Sequence, residues 1–247
     1  LLDPRGSKES QSMLPGLTVE QWEKLPERVA YLSTLDKFIW IENTASGAVL
    51  QSTAGPVAEL DDVQLPPLIV PSPDERFLAI ASPSYGDLHV YDTVKRTIFS
   101  LGNITIHPDS VWDWSKPSWN PWFPDGKHLA FFSGSLLVVA SPDGKQRQEL
   151  LKADRGGLAV PSPDGSLIAY ATFSPRPRKD REDLKFWEGS VLWVVPTKGG
   201  APTQITKPSE NETYDLRWLT QDSLIFDRIT EGMFNEHARI WTVQVGN

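Results

Sequence analysis

Two stretches of this chain gather side chains able to hold a ligand. The first is SVWDWSKPSWNPWFPDG, residues 110 to 126, which places four of the ten tryptophans between Trp112 and Trp122. Trp112 and Trp114 flank Asp113, so an extended backbone points both indoles the same way. Paired, exposed aromatics stack on sugars, proline-rich peptides or a partner protein. The alternative is a loop that folds its indoles over neighbouring strands. The second stretch is SPRPRKDREDLKFWEG, residues 174 to 189. It sets Arg176, Arg178, Lys179, Arg181 and Lys185 among Asp180, Glu182 and Asp183, with Trp187 just behind. Arginine forks match carboxylates bidentately, so one reading is an anion or carboxylate clamp; the other is a solvated loop of mixed charge. TEGMFNEHAR (230–239), with Asn235 and His237, is a comparable insertion further along.

Other chemistry is harder to assemble. The chain has no cysteine, which removes disulfides, thiolate metal sites and a cysteine nucleophile. There is no G-x-S-x-G, no H-E-x-x-H, no P-loop and no dinucleotide fingerprint. The four histidines are scattered. His89 is expected to be a hydrogen-bonded strand residue, and His128 follows a surface turn. His107 and His237 fall in loops, with Asp109, Asp113, Glu231 and Glu236 available by sequence alone. Two loop histidines are not a metal site without a carboxylate beside them. No catalytic set, metal or cofactor is therefore expected.

Composition narrows the partners. The formal charge is −8, and an acidic chain does not neutralise phosphates, so nucleic acid is not an expected partner. No apolar run approaches the roughly 20 residues that span a bilayer. The opening LLDPRGSKES lacks a charged head followed by an apolar stretch, so a cytoplasmic chain, or one whose targeting segment has been removed, is expected.

The elements that would carry these loops repeat. VPSPDERFLAIAS (70–82), WFPDGKHLAFFS (122–133), VPSPDGSLIAYAT (160–172) and the degraded WLTQDSLIFDR (218–228) each join a turn to an apolar strand. Proline presets the turn's first corner, aspartate bonds the local backbone, and glycine takes positive φ. Asp74, Asp125 and Asp164 lie 51 and then 39 residues apart, as in a repeat with variable loops. Second strands follow at DLHVYD (87–92), SLLVVA (135–140), SVLWVV (190–195) and ARIWTV (238–243), then hairpins. Four short antiparallel strands per unit, at this period, predict an all-β fold, a β-propeller of four-stranded blades. Five blades are counted, at about 17–53, 68–101, 117–151, 158–206 and 214–247, in a single domain over 1–247. TVEQWEKL (18–25) reads as the first strand of blade 1, with a helix as the alternative. Residues 7–14 are expected to complete the last blade; the alternative is a six-bladed ring cut by truncation. Trp22, Trp122 and Trp218, and the strand residues Trp40, Trp193 and Trp241, are expected to pack between blades. Trp119 is open either way.

The pattern W-x-P-D-G-x-x-[LI]-A-[FY], followed by G-G-x-x-x-x-[LI]-T, resembles the TolB-type propeller repeat. Its best matches are WFPDGKHLAF (122–131), SPDGSLIAY (162–170) and KGGAPTQIT (198–206). The resemblance covers the chain from about residue 17 onward. It implies a periplasmic or exported setting and a non-catalytic scaffold that binds a protein or peptide. The face carrying the d-to-a and b-to-c loops would be used, through Trp112, Trp114, Arg176, Arg178, Lys179, Arg181, Trp187, Asn235 and His237. The other readings are a channel-sited enzyme, such as a metal-assisted polysaccharide lyase or hydrolase, and a detached propeller domain of a prolyl-oligopeptidase-type peptidase.

Overall fold

The computed structural model describes residues 29–34, 37–44, 47–60, 68–81, 86–106, 119–176, 187–208, 213, 215–230 and 237–246. Contacts divide the chain into two compact units, Leu1–Val63 and Gln64–Asn247. All regular structure among the described residues is β-strand.

The first unit holds one antiparallel sheet, ordered β1 (Val29–Leu32), β2 (Lys37–Thr44), β3 (Gly47–Ser52) and β4 (Gly55–Leu60). The last strand, GPVAEL, lies beyond residue 53, where blade 1 was expected to end. Leu32, Phe38, Ile39 and Leu50 are buried, and the Tyr31 and Phe38 rings meet at 4.9 Å. Trp22 and residues 7–14 and 18–25 lie outside the described residues.

The second unit holds four successive antiparallel sheets. Blade 2 is β5 (Leu68–Pro71), β6 (Phe77–Ala81), β7 (Gly86–Asp92) and β8 (Thr97–Ile104). Blade 3 is β9 (Leu129–Ser133), β10 (Leu136–Ala140) and β11 (Arg147–Lys152), with a Trp122–Leu129 bridge standing for its short first strand. Blade 4 is β12 (Gly156–Pro161), β13 (Leu167–Arg176), β14 (Trp187–Pro196) and β15 (Thr203–Gln204). Blade 5 is β16 (Leu216–Thr220), β17 (Ser223–Thr230) and β18 (His237–Gln244). One apolar cluster runs from Ala79 and Val90 in blade 2, through Phe131 and Val160, to Leu216 and Phe226 in blade 5. Such a shared core suits blades that are apolar on both faces, as the fully buried Leu88, Phe131 and Phe132 show.

The turn between first and second strands explains the repeat. In blades 2 and 4 the Ser72 and Ser162 hydroxyls donate to Asp74 and Asp164 at 2.6 Å. The same serine oxygens accept the N–H of Phe77 and Leu167 at 3.0 Å, closing the turn onto the next strand. Ser141 and Asp143 build the same lock in the hairpin between β10 and β11. The left-handed corner falls to Gly126 and Gly165, but in blade 2 to Glu75, at φ 56°.

These turns also touch one another. A Cβ on Gly126 would sit 3.1 Å from Asp74, and Gln221 of blade 5 donates to Asp164 at 2.6 Å. Hydrogen bonds from Ser162, then from the Ser166 N–H and hydroxyl, hold the Asp164 carboxyl down to about 2. A carboxylate depressed on folding stabilises above its ordinary value, near 3.9, and loses that contribution as pH falls through the folded value. Asp164→Ala is therefore expected to flatten the fall in melting temperature between about pH 4 and about pH 2, followed by circular dichroism. A slope equal to that of the wild type would show that the lock does not stabilise the fold.

Trp119 and Trp122 are buried in the shared core. Trp193 packs between blades 3 and 4 and donates its indole N–H to Thr172 Oγ1 at 2.9 Å. Trp241 departs from the expectation. It is 46% exposed.

Candidate functional site

The inner strands of blades 2 to 5 are β5, residues 121–123, β12 and β16. Two tryptophans tie two neighbouring pairs of them, blade 3 to blade 2 and blade 5 to blade 4. Trp122 Nε1 donates to Val70 O at 2.8 Å, and Trp218 Nε1 donates to Val160 O at 2.9 Å. Each indole reaches the inner strand of the preceding blade, so its donor is used in holding neighbouring blades together. Phe77 stacks on Trp122 with centroids 6.2 Å apart.

A hollow of about 480 Å³ opens where these strands meet their turns. Pro73, Pro124 and Pro163 stand at matching places in three turns, and Asn120, Trp218 and Arg217 are among the other lining residues. The walls are stiff, since proline has little freedom to lose and the indoles are bonded. Along β16, Arg217 and Leu219 alternate with the core residues Leu216 and Trp218, and both are exposed. Arg217 lies 3.7 Å from Asp215. The hollow thus offers apolar rings and one exposed cation.

A second hollow, of about 570 Å³, lies against blades 3 and 4 and is lined by Phe123, Asp125, His128, Val139 and Thr197, among others. His128 Nδ1 is 2.8 Å from Asp125 Oδ2, and the imidazole meets the Phe123 ring edge-on at 6.1 Å. Desolvation raises the Asp125 carboxyl, but the Lys127 N–H and His128 outweigh it and leave it lowered. The pair can orient an imidazole. The one hydroxyl lining the hollow, on Thr197, is bonded to Ser166 O at 3.2 Å, so no activated nucleophile stands beside it. Among the described residues no group of three His, Cys, Asp or Glu is placed to hold a metal.

Two arginines brace the seams between blades. Arg147 donates to Leu101 O at 3.1 Å and lies over Phe131. Arg228 donates to Thr206 Oγ1 at 3.2 Å and lies 5.0 Å from the Phe226 ring centre; burial lowers its pKa. His89 departs from the sequence expectation. It is buried in β7, and among the described residues its Nε2 has no hydrogen-bond partner.

The solved structures similar to this chain share its architecture rather than its sequence. They include the tricorn protease, at 13% identity and TM-score 0.55, over 85% of this chain and 24% of that one. A puromycin-hydrolyzing peptidase of Mycobacterium tuberculosis gives 16% identity and TM-score 0.55, over 89% of this chain and 36% of that one. TolB from Acinetobacter baumannii gives 16% and 0.47, over 83% of this chain and 49% of that one. The fold is a β-propeller. Blades 2 and 4 have the four-strand order, and blades 2, 3 and 4 the Pro-Asp turns, read from the repeat. The chain spans from about a quarter to about half of these proteins. No family model matches the chain, and no curated protein sequence matches it either.

The site residues read from the sequence fall mostly outside the described residues: Trp112, Trp114, Arg178, Lys179, Arg181 and Asn235. Arg176 and Trp187 are paired across the far end of β13 and β14, at the opposite end from that blade's Pro-Asp turn. His237 is paired with Thr230 at the corresponding end of β17 and β18. Arg217 and Asn120 were missed. The signal was present for Arg217: once Trp218 is placed in an inner strand facing the core, alternation turns 217 the other way.

Proposed function

We propose that the chain is a non-catalytic module that binds a protein or peptide, through the hollow where its inner strands meet their turns. The carrying observation is that hollow: three prolines, Trp218, Asn120 and the exposed Arg217 on a stiff frame. An extended peptide lays apolar side chains on proline and indole faces and meets the guanidinium with a carboxylate. A pre-formed wall loses little freedom on binding. The resemblance in the repeat supports a periplasmic or exported setting. The loops carrying Trp112, Trp114, Arg176, Arg178, Lys179 and Arg181 remain a second contact face in this reading.

Peptide-display selection on the immobilised chain tests it. Selected acidic peptides are expected to bind at least about tenfold more weakly to Arg217→Ala than to the wild type, by fluorescence anisotropy. Unchanged binding in that variant, with loss in Trp112→Ala or Arg178→Ala, would move the site to the other loops. Failure to select any peptide would count against the reading itself.

A further inference from the structure

The first turn of blade 3 divides two hollows. Along WFPD, Trp122 and Pro124 line the hollow of about 480 Å³, and Phe123 and Asp125 line the one of about 570 Å³. The larger hollow has no part in peptide binding as proposed above. Its volume is that of a small-molecule site, in the range of about 300–1,000 Å³.

Its lining has an apolar part and a polar part. Phe123 and Val139 belong to the apolar seam between blades 3 and 4. Gly165 of blade 4 adds no side chain, which keeps the space open. Blade 3 supplies two amides. Gln148 opposes Val139 across β10 and β11 and so shares its face, and Gln146 follows by alternation. Both glutamines are exposed. Blade 4 supplies the Thr197 hydroxyl, which donates to Ser166 O and keeps its oxygen lone pairs as acceptors.

The charged groups of the lining offset one another or turn away. Asp125 holds His128 at 2.8 Å, through Nδ1 and not Nε2. Lys145 Nζ lies 3.4 Å from Asp143. Arg147 sends its guanidinium to Leu101 O in blade 2. The hollow is therefore suited to a ligand that is polar without being charged. Primary amides donate and accept at once, and the hydroxyl and the imidazole add further hydrogen-bonding atoms beside an apolar patch.

We propose that this hollow is a second binding site, for a neutral saccharide. A sugar ring carries adjacent hydroxyls round its rim, each both donor and acceptor, and C–H groups on its faces. Gln146 and Gln148 accept from one hydroxyl and donate to its neighbour. Thr197 accepts from the opposite side of the gap. The C–H face lies on Phe123 and Val139, burying apolar surface that a small ion would leave uncovered. The site lies across the blade 3 turn from Arg217, so its occupancy and that of the peptide hollow are read by different substitutions.

Isothermal titration calorimetry of the full chain tests this, with maltotriose, cellotriose and triacetylchitotriose as probes. At least one is expected to bind with a Kd of about 1 mM or tighter. Gln146→Ala and Gln148→Ala should each weaken it at least about tenfold at an unchanged melting temperature, since both side chains are exposed. Arg217→Ala is expected to bind it as the wild type does. Equal molar inorganic phosphate should not displace it. The proposal is overturned if none of the three probes binds, or if both glutamine variants bind like the wild type. Loss of equal size in Arg217→Ala, or displacement by phosphate, would overturn it as well.

Discussion

Trp122→Ala is expected to lower the stability of the Gln64–Asn247 unit by about 3–5 kcal/mol, the cost of emptying a large aromatic site in a packed core. Trp122 is 4% exposed and touches the shared core from the short first strand of blade 3. Its removal does two things. It leaves a cavity between blades 2 and 3, and it strips Val70 O of the indole N–H that it accepts. Trp122→Phe separates them. Phenylalanine keeps most of the ring volume but cannot donate, so it should cost about 1–3 kcal/mol, the penalty for an unpaired buried carbonyl. Urea unfolding followed by circular dichroism reads both values. If the phenylalanine variant were as stable as the wild type, the bond to Val70 would contribute nothing. If the alanine variant were too, Trp122 would not be packed where it is described.

Gly157→Ala is the second large effect. A Cβ at residue 157 would lie 2.4 Å from Ile106 O, a backbone atom that no rotamer change can move aside. One residue earlier, a Cβ on Gly156 would lie 2.2 Å from the Phe132 ring, which is itself fully buried. The inner strand of blade 4 passes this close because Leu158 N–H donates to Ile106 O at 2.9 Å. The register of β12 also slips between Gly157 and Val160, where Leu158 takes φ 53°. Adding one methyl group to such a contact is expected to cost about 1–3 kcal/mol or more. The urea midpoint of Gly157→Ala should therefore fall well below that of the wild type with an unchanged slope. A midpoint within error of the wild type would mean that blade 4 does not approach Ile106.

Much of this was legible in the sequence, for a physical reason. Each Pro-Asp turn is a local device: a serine or aspartate oxygen bonds backbone two to five residues on, so its chemistry shows in a short window. The strands after it alternate or run apolar for the same local reason. The inward role of Trp122 and Trp218 followed from their repeat position. Contacts that cross between blades left no such trace. Gln221 to Asp164, Arg147 to Leu101 and the glycines under Phe132 and Ile106 join residues far apart in the chain. Nothing in the spacing announces them. Trp241 was misjudged because its repeat position says nothing of what packs against its face of the sheet. The unpaired Nε2 of His89 depends on what surrounds a strand, not on the strand itself. The candidate site divides likewise: charged and aromatic loops catch the eye in a sequence, whereas the hollow is built from prolines and one arginine that look like turn and strand residues.

Hydrogen exchange of individual indole N–H groups, followed by NMR with each tryptophan assigned through single substitutions, tests the central claim most directly. The account predicts that the protons of Trp122 and Trp218 exchange slowest, on the timescale of global opening, because each is locked to the inner strand of the blade before it. Exchange of either as fast as that of the exposed Trp241 would mean that adjacent blades are not joined in this way, and the inner frame described for blades 2 to 5 would be wrong.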